Sequence, residues 1–95
     1  EITVSTMSMN TYPNPFRYST EIVFELSEET LTSLNIYSTT GRLVKTIINH
    51  TLTGGSHRVT WNGTNDSGSS LSSGMYFVIL NTSKGTARST IILDR

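Results

Sequence analysis

Apolar and polar side chains alternate one by one along most of this chain, and no segment repeats at helical spacing. The cleanest run is Thr20 to Leu26. Ile22, Phe24 and Leu26 fall on one side of it, and Glu21, Val23 and Glu25 on the other. A period of two is the pleat of a β-strand with one buried face. The residue types agree with that reading. Val, Ile and Thr make up 29 of the 95 residues, while Ala occurs once, at Ala87. β-Branched side chains lose rotamer freedom in a helix but pack well on a pleated surface, so the chain is expected to be all-β.

The remaining strands are read in the same way. Ile2, Val4 and Thr6 form a weak first strand. Leu34 and Ile36 face inward, away from Ser33, Asn35 and Tyr37. Ser38-Thr39-Thr40-Gly41 makes a hairpin turn, in which Gly41 supplies the positive φ of a tight connection. The return strand runs from Arg42 to Ile48, with Leu43 and Ile47 on one face and Val44 and Ile48 on the other. His57, Val59 and Trp61 alternate with Arg58 and Thr60. Asn62 to Ser73 is a long polar loop, with Leu71 dipping back to the core. Met75 to Leu80 is the most apolar strand, Lys84-Gly85 is a hairpin tip, and Arg88 to Leu93 closes the chain. Turn signals at intervals of about 8–12 residues separate these runs, the spacing of a sandwich. The expected architecture is therefore a seven-stranded antiparallel two-sheet immunoglobulin-like β-sandwich. It forms one domain over residues 1–95, with residues 1–9 as a first strand or as a linker from an upstream domain.

Tyr12-Pro13-Asn14-Pro15-Phe16 cannot lie in a central strand, because each proline lacks a ladder donor. It reads as a rigid, extended corner, with Tyr12 and Phe16 available to cap one end of the core.

Charge and cysteine content exclude several functions. Seven Lys and Arg balance seven Asp and Glu, so no net field attracts nucleic acid or an anionic membrane. Without cysteine there are no disulfides, thiolate metal sites or cysteine nucleophiles. No apolar run approaches the roughly 20 residues of a membrane-spanning helix. Residue 1 is Glu and no signal peptide is legible, so the segment is expected to derive from a longer protein.

Chemistry-bearing patterns are sparse. His50 and His57 fall short of the three or four ligands of a zinc site. No Gly-x-Ser-x-Gly elbow is present. Glu21 and Glu25 lie about 13 Å apart along one strand, too far for a glycosidase pair, and read as a solvated face. The loop Asn62 to Gly68 has the polar character of a calcium loop but a single carboxylate, Asp66. Trp61, Tyr12, Phe16 and Tyr18 would suit a sugar-stacking platform, yet Trp61 shares the face of Val59 and is better read as core. No metal, cofactor or catalytic residue is assigned.

The order of the motifs carries a resemblance. Tyr12-Pro13-Asn14-Pro15-Phe16 precedes the strand Thr20–Leu26. Leu34-Asn35-Ile36-Tyr37 and Gly41-Arg42-Leu43-Val44 follow, then Gly55 to Gly63 with Trp61-Asn62-Gly63, then Gly68, Ser73-Gly74-Met75-Tyr76-Phe77 and a terminal strand ending in Arg95. Over residues 10–95 this resembles the C-terminal sorting domains of the Bacteroidetes-type type IX secretion system. It is equally similar to the immunoglobulin-like domain first described in the flagellar hook-capping protein. The resemblance implies a non-catalytic C-terminal domain that directs an exported cargo to the cell surface. Its partners would be the outer-membrane translocon and a surface sortase-like machinery, or neighbouring domains of the same protein. It further implies Pro13, Asn14, Pro15, Phe16, Gly74, Tyr76 and Arg95 as the recognition motif. Gly41, Trp61, Gly63 and Gly68 would be structural. Asp94 beside a single Arg departs from the several basic residues common at the end of sorting domains. A retained structural or interaction module and a carbohydrate-binding module are the alternative functions.

Overall fold

The computed structural model describes residues 8–95. Among these, every regular element is a strand: β1 (Met9–Tyr12), β2 (Thr20–Leu26), β3 (Thr30–Ser38), β4 (Leu43–Leu52), β5 (Gly55–Trp61), β6 (Gly74–Thr82) and β7 (Gly85–Leu93). They form a three-stranded sheet in the order β1-β2-β5 and a four-stranded sheet in the order β4-β3-β6-β7. Every strand pairing within both sheets is antiparallel. The expected immunoglobulin-like sandwich is thus the observed fold.

The inward half of each alternation makes the core. β2 contributes Ile22, Phe24 and Leu26, β3 contributes Leu34 and Ile36, and β6 contributes Tyr76, Val78 and Leu80. Ile91 and Leu93 of β7, Ile48 of β4, Trp61 of β5 and Phe16 complete it. Burial of such side chains is worth about 1.5–3 kcal/mol each and is the main force holding the two sheets face to face. Thr20, Thr30 and Thr32 are also buried, and each has a partner for its hydroxyl. Thr20 Oγ1 donates to Pro13 O (2.8 Å), Thr32 Oγ1 donates to Thr30 O (3.1 Å), and Thr30 Oγ1 meets Ser83 Oγ at 2.9 Å. A satisfied hydroxyl is what lets threonine occupy a core position. Strand β3 therefore begins with a buried threonine, Thr30, directly after the polar stretch Ser27-Glu28-Glu29.

Two expectations need correction. Leu43 and Ile47 do not share a face. The β3–β4 register shifts twice, between Leu34 and Asn35 and between Ile36 and Tyr37. Each extra residue in a bulge resets the alternation, so Val44 and Ile47 both pack on the core while Leu43 is 47% exposed. Tyr12 and Phe16 do not cap the core together: Phe16 is buried, and Tyr12, 79% exposed, ends strand β1 inside what reads as an irregular corner. The weak first strand over Ile2, Val4 and Thr6 lies outside the described residues.

The long apolar run of β6 is central, between β3 and β7. Its outer face carries Met75, Phe77 and Ile79, and Arg88 of β7 lies 4.6 Å from the centre of the Phe77 ring. The arginine covers part of an aromatic surface that the sandwich leaves bare.

Candidate functional site

The residues expected to carry recognition come together at one end of the sandwich. Trp61, the last residue of β5, is buried there between two other rings. Phe16 lies 5.5 Å away, tilted by 55°, and Tyr76 lies 5.5 Å away, edge-on at 74°. The polar tip of each larger ring finds a backbone carbonyl in the loop after β5. Trp61 Nε1 donates to Thr64 O (2.9 Å) and Tyr76 Oη donates to Ser72 O (2.7 Å). Phe16, Trp61 and Tyr76 come from the corner, the smaller sheet and the larger sheet, so the cluster joins all three. This is the aromatic packing with a bonded polar handle that suits a buried Tyr or Trp.

The corner is bound to β7. The Tyr12-Pro13 and Asn14-Pro15 peptide bonds are cis. Asn14 Nδ2 donates to Thr90 O (2.7 Å) and to Thr11 Oγ1 (3.1 Å), and Asn14 Oδ1 accepts from the Ile92 amide (2.9 Å). Phe16 N then donates to Ile92 O (2.9 Å), and Asp94 N donates to Phe16 O (2.8 Å). Pro13 is held from the other side by Thr20. Nothing in the alternation pattern pointed to this role of Asn14; the only signal was an Asn between two prolines.

Arg95 closes the same end. Its Nε donates to Leu71 O (3.1 Å) and its Nη2 to Gly63 O (2.9 Å) and Asn62 O (3.4 Å), while its amide donates to Ser73 Oγ (3.0 Å). The guanidinium thus spans both ends of the loop between β5 and β6. Gly63 makes room for it. A Cβ there would sit 2.5 Å from Arg95 Nη2 and 3.2 Å from Leu93 Cδ2, at a φ of +75° that side chains rarely adopt. Gly63→Ala should therefore destabilise the domain by about 1–3 kcal/mol, read as a lower denaturation midpoint in urea. A midpoint equal to that of the unaltered chain would show that the contact yields freely.

Gly74 opens β6 opposite Leu93. Gly41 stands in the β3–β4 turn at a φ of +85°, and its amide donates to Ser38 O (3.0 Å). Gly68 lies in the β5–β6 loop. The polar atoms of that loop are used to shape it. Asn65 Oδ1 accepts from Ser67 N and Ser69 N (both 3.0 Å). Asp66 N donates to Val44 O (3.1 Å), and Asp66 Oδ1 accepts from Thr46 N (3.0 Å). A cleft of about 490 Å³ separates the loop from the β3–β4 turn, with Ser38, Thr40, Arg42, Asn65 and Asp66 among its lining residues.

His50 and His57 lie on strands of different sheets, and each ring nitrogen that bonds meets a nearby carbonyl, Thr51 O at 3.2 Å and Thr53 O at 2.8 Å. Among the described residues, no three His, Cys, Asp or Glu side chains gather closely enough to hold a metal ion. Glu21 pairs with Arg58, and Glu25 is exposed on the outer face of β2. The aromatic platform does not assemble, because Trp61 and Phe16 are 1% and 2% exposed while Tyr12 and Tyr18 are out in solvent. Among the described residues, no helix is long and apolar enough to cross a membrane.

The model of the FlgD Ig-like domain matches residues 14–86, most of the chain. The chain belongs to that family. Three solved structures share its shape. PorZ of Porphyromonas gingivalis, described as an essential bacterial surface component of the type-IX secretion system, is similar at 26% identity and a TM-score of 0.63, over 93% of this chain and 12% of PorZ. Dimeric latent PorU of the same organism is similar at 21% identity and a TM-score of 0.68, over 93% of this chain and 9% of PorU. FlgD from P. aeruginosa is similar at 21% identity and a TM-score of 0.61, over 95% of this chain and 68% of that one. At 21% identity the last two likenesses concern the fold. The chain spans only a small part of PorZ and PorU. No curated protein matches it by sequence. In this member of the FlgD Ig-like family, the stretch from Asn14 to Tyr76 lies inside the matched residues, and Arg95 lies beyond them.

Proposed function

We propose that this domain is a non-catalytic sorting domain that takes an exported cargo through the type IX secretion system to the cell surface. The observation that carries the reading is the likeness to PorZ across 93% of the chain at 26% identity, within a family of Ig-like domains. The site geometry supports it. The end where the motifs meet buries its rings and presents backbone and the bound guanidinium of Arg95. Such a surface is suited to recognition by shape. On this reading the partners are the outer-membrane translocon and the surface sortase-like machinery, and the mature cargo is secreted or displayed at the cell surface.

The test is a fusion of this domain behind an exported reporter in a host with the type IX machinery. The reporter is expected at the cell surface. A reporter that stays in the periplasm while the domain is folded would sink the proposal.

A second reading has its own support. The outer face of the larger sheet exposes Met75 and Ile92 (46% and 38%) beside Phe77, as a domain packed against a neighbour in the same protein would. In that case the domain is a retained structural module. Mass spectrometry of the mature surface protein separates the two: peptides of residues 10–95 persist if the domain is retained and vanish if it is removed on sorting.

A further inference from the structure

β7 is an edge strand of the larger sheet, nine residues long and with one charged side chain, Arg88. An edge of that length with little charge normally invites another strand. Its backbone groups alternate in direction. Ile92 N and O meet the corner and not β6, so the even-numbered residues Thr86, Arg88, Thr90 and Ile92 turn their amides and carbonyls outward.

Over its C-terminal half this outward edge is already occupied, and by a side chain. The primary amide of Asn14 donates to Thr90 O and accepts from Ile92 N. Those are the two bonds that the N–H and C=O of one residue in an added parallel strand would make, and the Phe16–Leu93 bridge beside them is parallel. Phe16 continues the contact with its own backbone, donating to Ile92 O and accepting from Asp94 N. Pro13 and Pro15 flank Asn14 and have no N–H to offer, so the covering segment presents a poor template for a further strand. The opposite edge of the same sheet is treated alike: Asp66 uses its amide and its carboxylate on Val44 O and Thr46 N of β4. Both edges of the larger sheet are thus met in part by a short Asn or Asp side chain.

We propose that Asn14 is an edge guard: it fills the strand-addition position on β7 and keeps the domain from pairing through β7 with a second copy of itself. The occupant it excludes follows from the strand itself. An antiparallel β7–β7 pair with Arg88 of one copy opposite Thr90 of the other uses the Thr90 carbonyl that Asn14 now holds, leaves Ile92 O to Phe16, and sets no like charges face to face. Such a pair would also make the bare faces around Met75 and Ile92 continuous between copies.

The test is the solution mass of the Asn14→Ala chain, by light scattering across a concentration series. The unaltered chain is expected to be monomeric, and Asn14→Ala to form a dimer whose share rises with concentration. Adding Thr90→Pro should restore the monomer, because the Thr90 amide points outward and β6 does not use it. A folded Asn14→Ala chain that stays monomeric overturns the proposal, as does a dimer that survives Thr90→Pro. Amide exchange on the unaltered chain covers the case in which Asn14→Ala fails to fold. The Ile92 amide, held by Asn14, should exchange about tenfold or more slowly than the Arg88 amide, which faces outward past the guard. Equal rates would mean that the guard is not seated, and would equally overturn the proposal.

Discussion

Trp61→Ala is expected to destabilise the domain by about 3–5 kcal/mol, a large share of the roughly 5–15 kcal/mol that holds a small domain folded. Three losses add. The ring is 1% exposed, so its whole apolar surface leaves the core. Phe16 and Tyr76, each 5.5 Å away, lose the partner they pack against. Thr64 O loses the indole donor at 2.9 Å, which frees the start of the β5–β6 loop. Equilibrium unfolding in urea checks this, with the midpoint falling sharply and the slope unchanged if the native and unfolded states keep their compactness. A loss below about 1 kcal/mol would mean that the neighbouring rings collapse into the gap, a site better able to relax than any in the usual range.

Phe16→Ala is expected to cost a similar amount, about 3–5 kcal/mol, whereas Tyr12→Ala should change stability by no more than about 0.5 kcal/mol. The two aromatics are four residues apart and flank the same pair of prolines, yet one is 2% exposed and the other 79%. Side by side, the two denaturation curves test whether the corner is fastened by Phe16 alone. Comparable losses from both would contradict the burial described here. Trp61 and Phe16 touch, so the double variant should lose less than the sum of the single losses.

The contrast between Tyr12 and Phe16 marks where sequence reading stops. Both precede or follow a proline, both are aromatic, and neither sits in a long alternating run, so nothing local tells them apart. What separates them is β7. Phe16 forms a bridge with Leu93 and bonds to Ile92 and Asp94, residues more than seventy positions away, and those bonds turn its ring toward Trp61. Asn14 is a similar case. Its identity between two prolines was visible, but the bonds of its amide to Thr90 and Ile92 depend on an edge strand that only folding brings beside it.

The alternation by itself determined that the chain is a sandwich of short antiparallel strands, which face of β2, β3 and β5 is buried, and where the turns fall. A pleated strand has a period of two, so residue types along a few positions settle each face without reference to the rest of the chain. The tertiary structure alone decided the two bulges that put Leu43 in solvent, the burial of Phe16 rather than Tyr12, and the gathering of Pro13–Phe16, Gly63, Tyr76 and Arg95 at one end of the molecule. Those outcomes rest on bonds and contacts between residues far apart in sequence, and no local pattern encodes which distant backbone a side chain will meet.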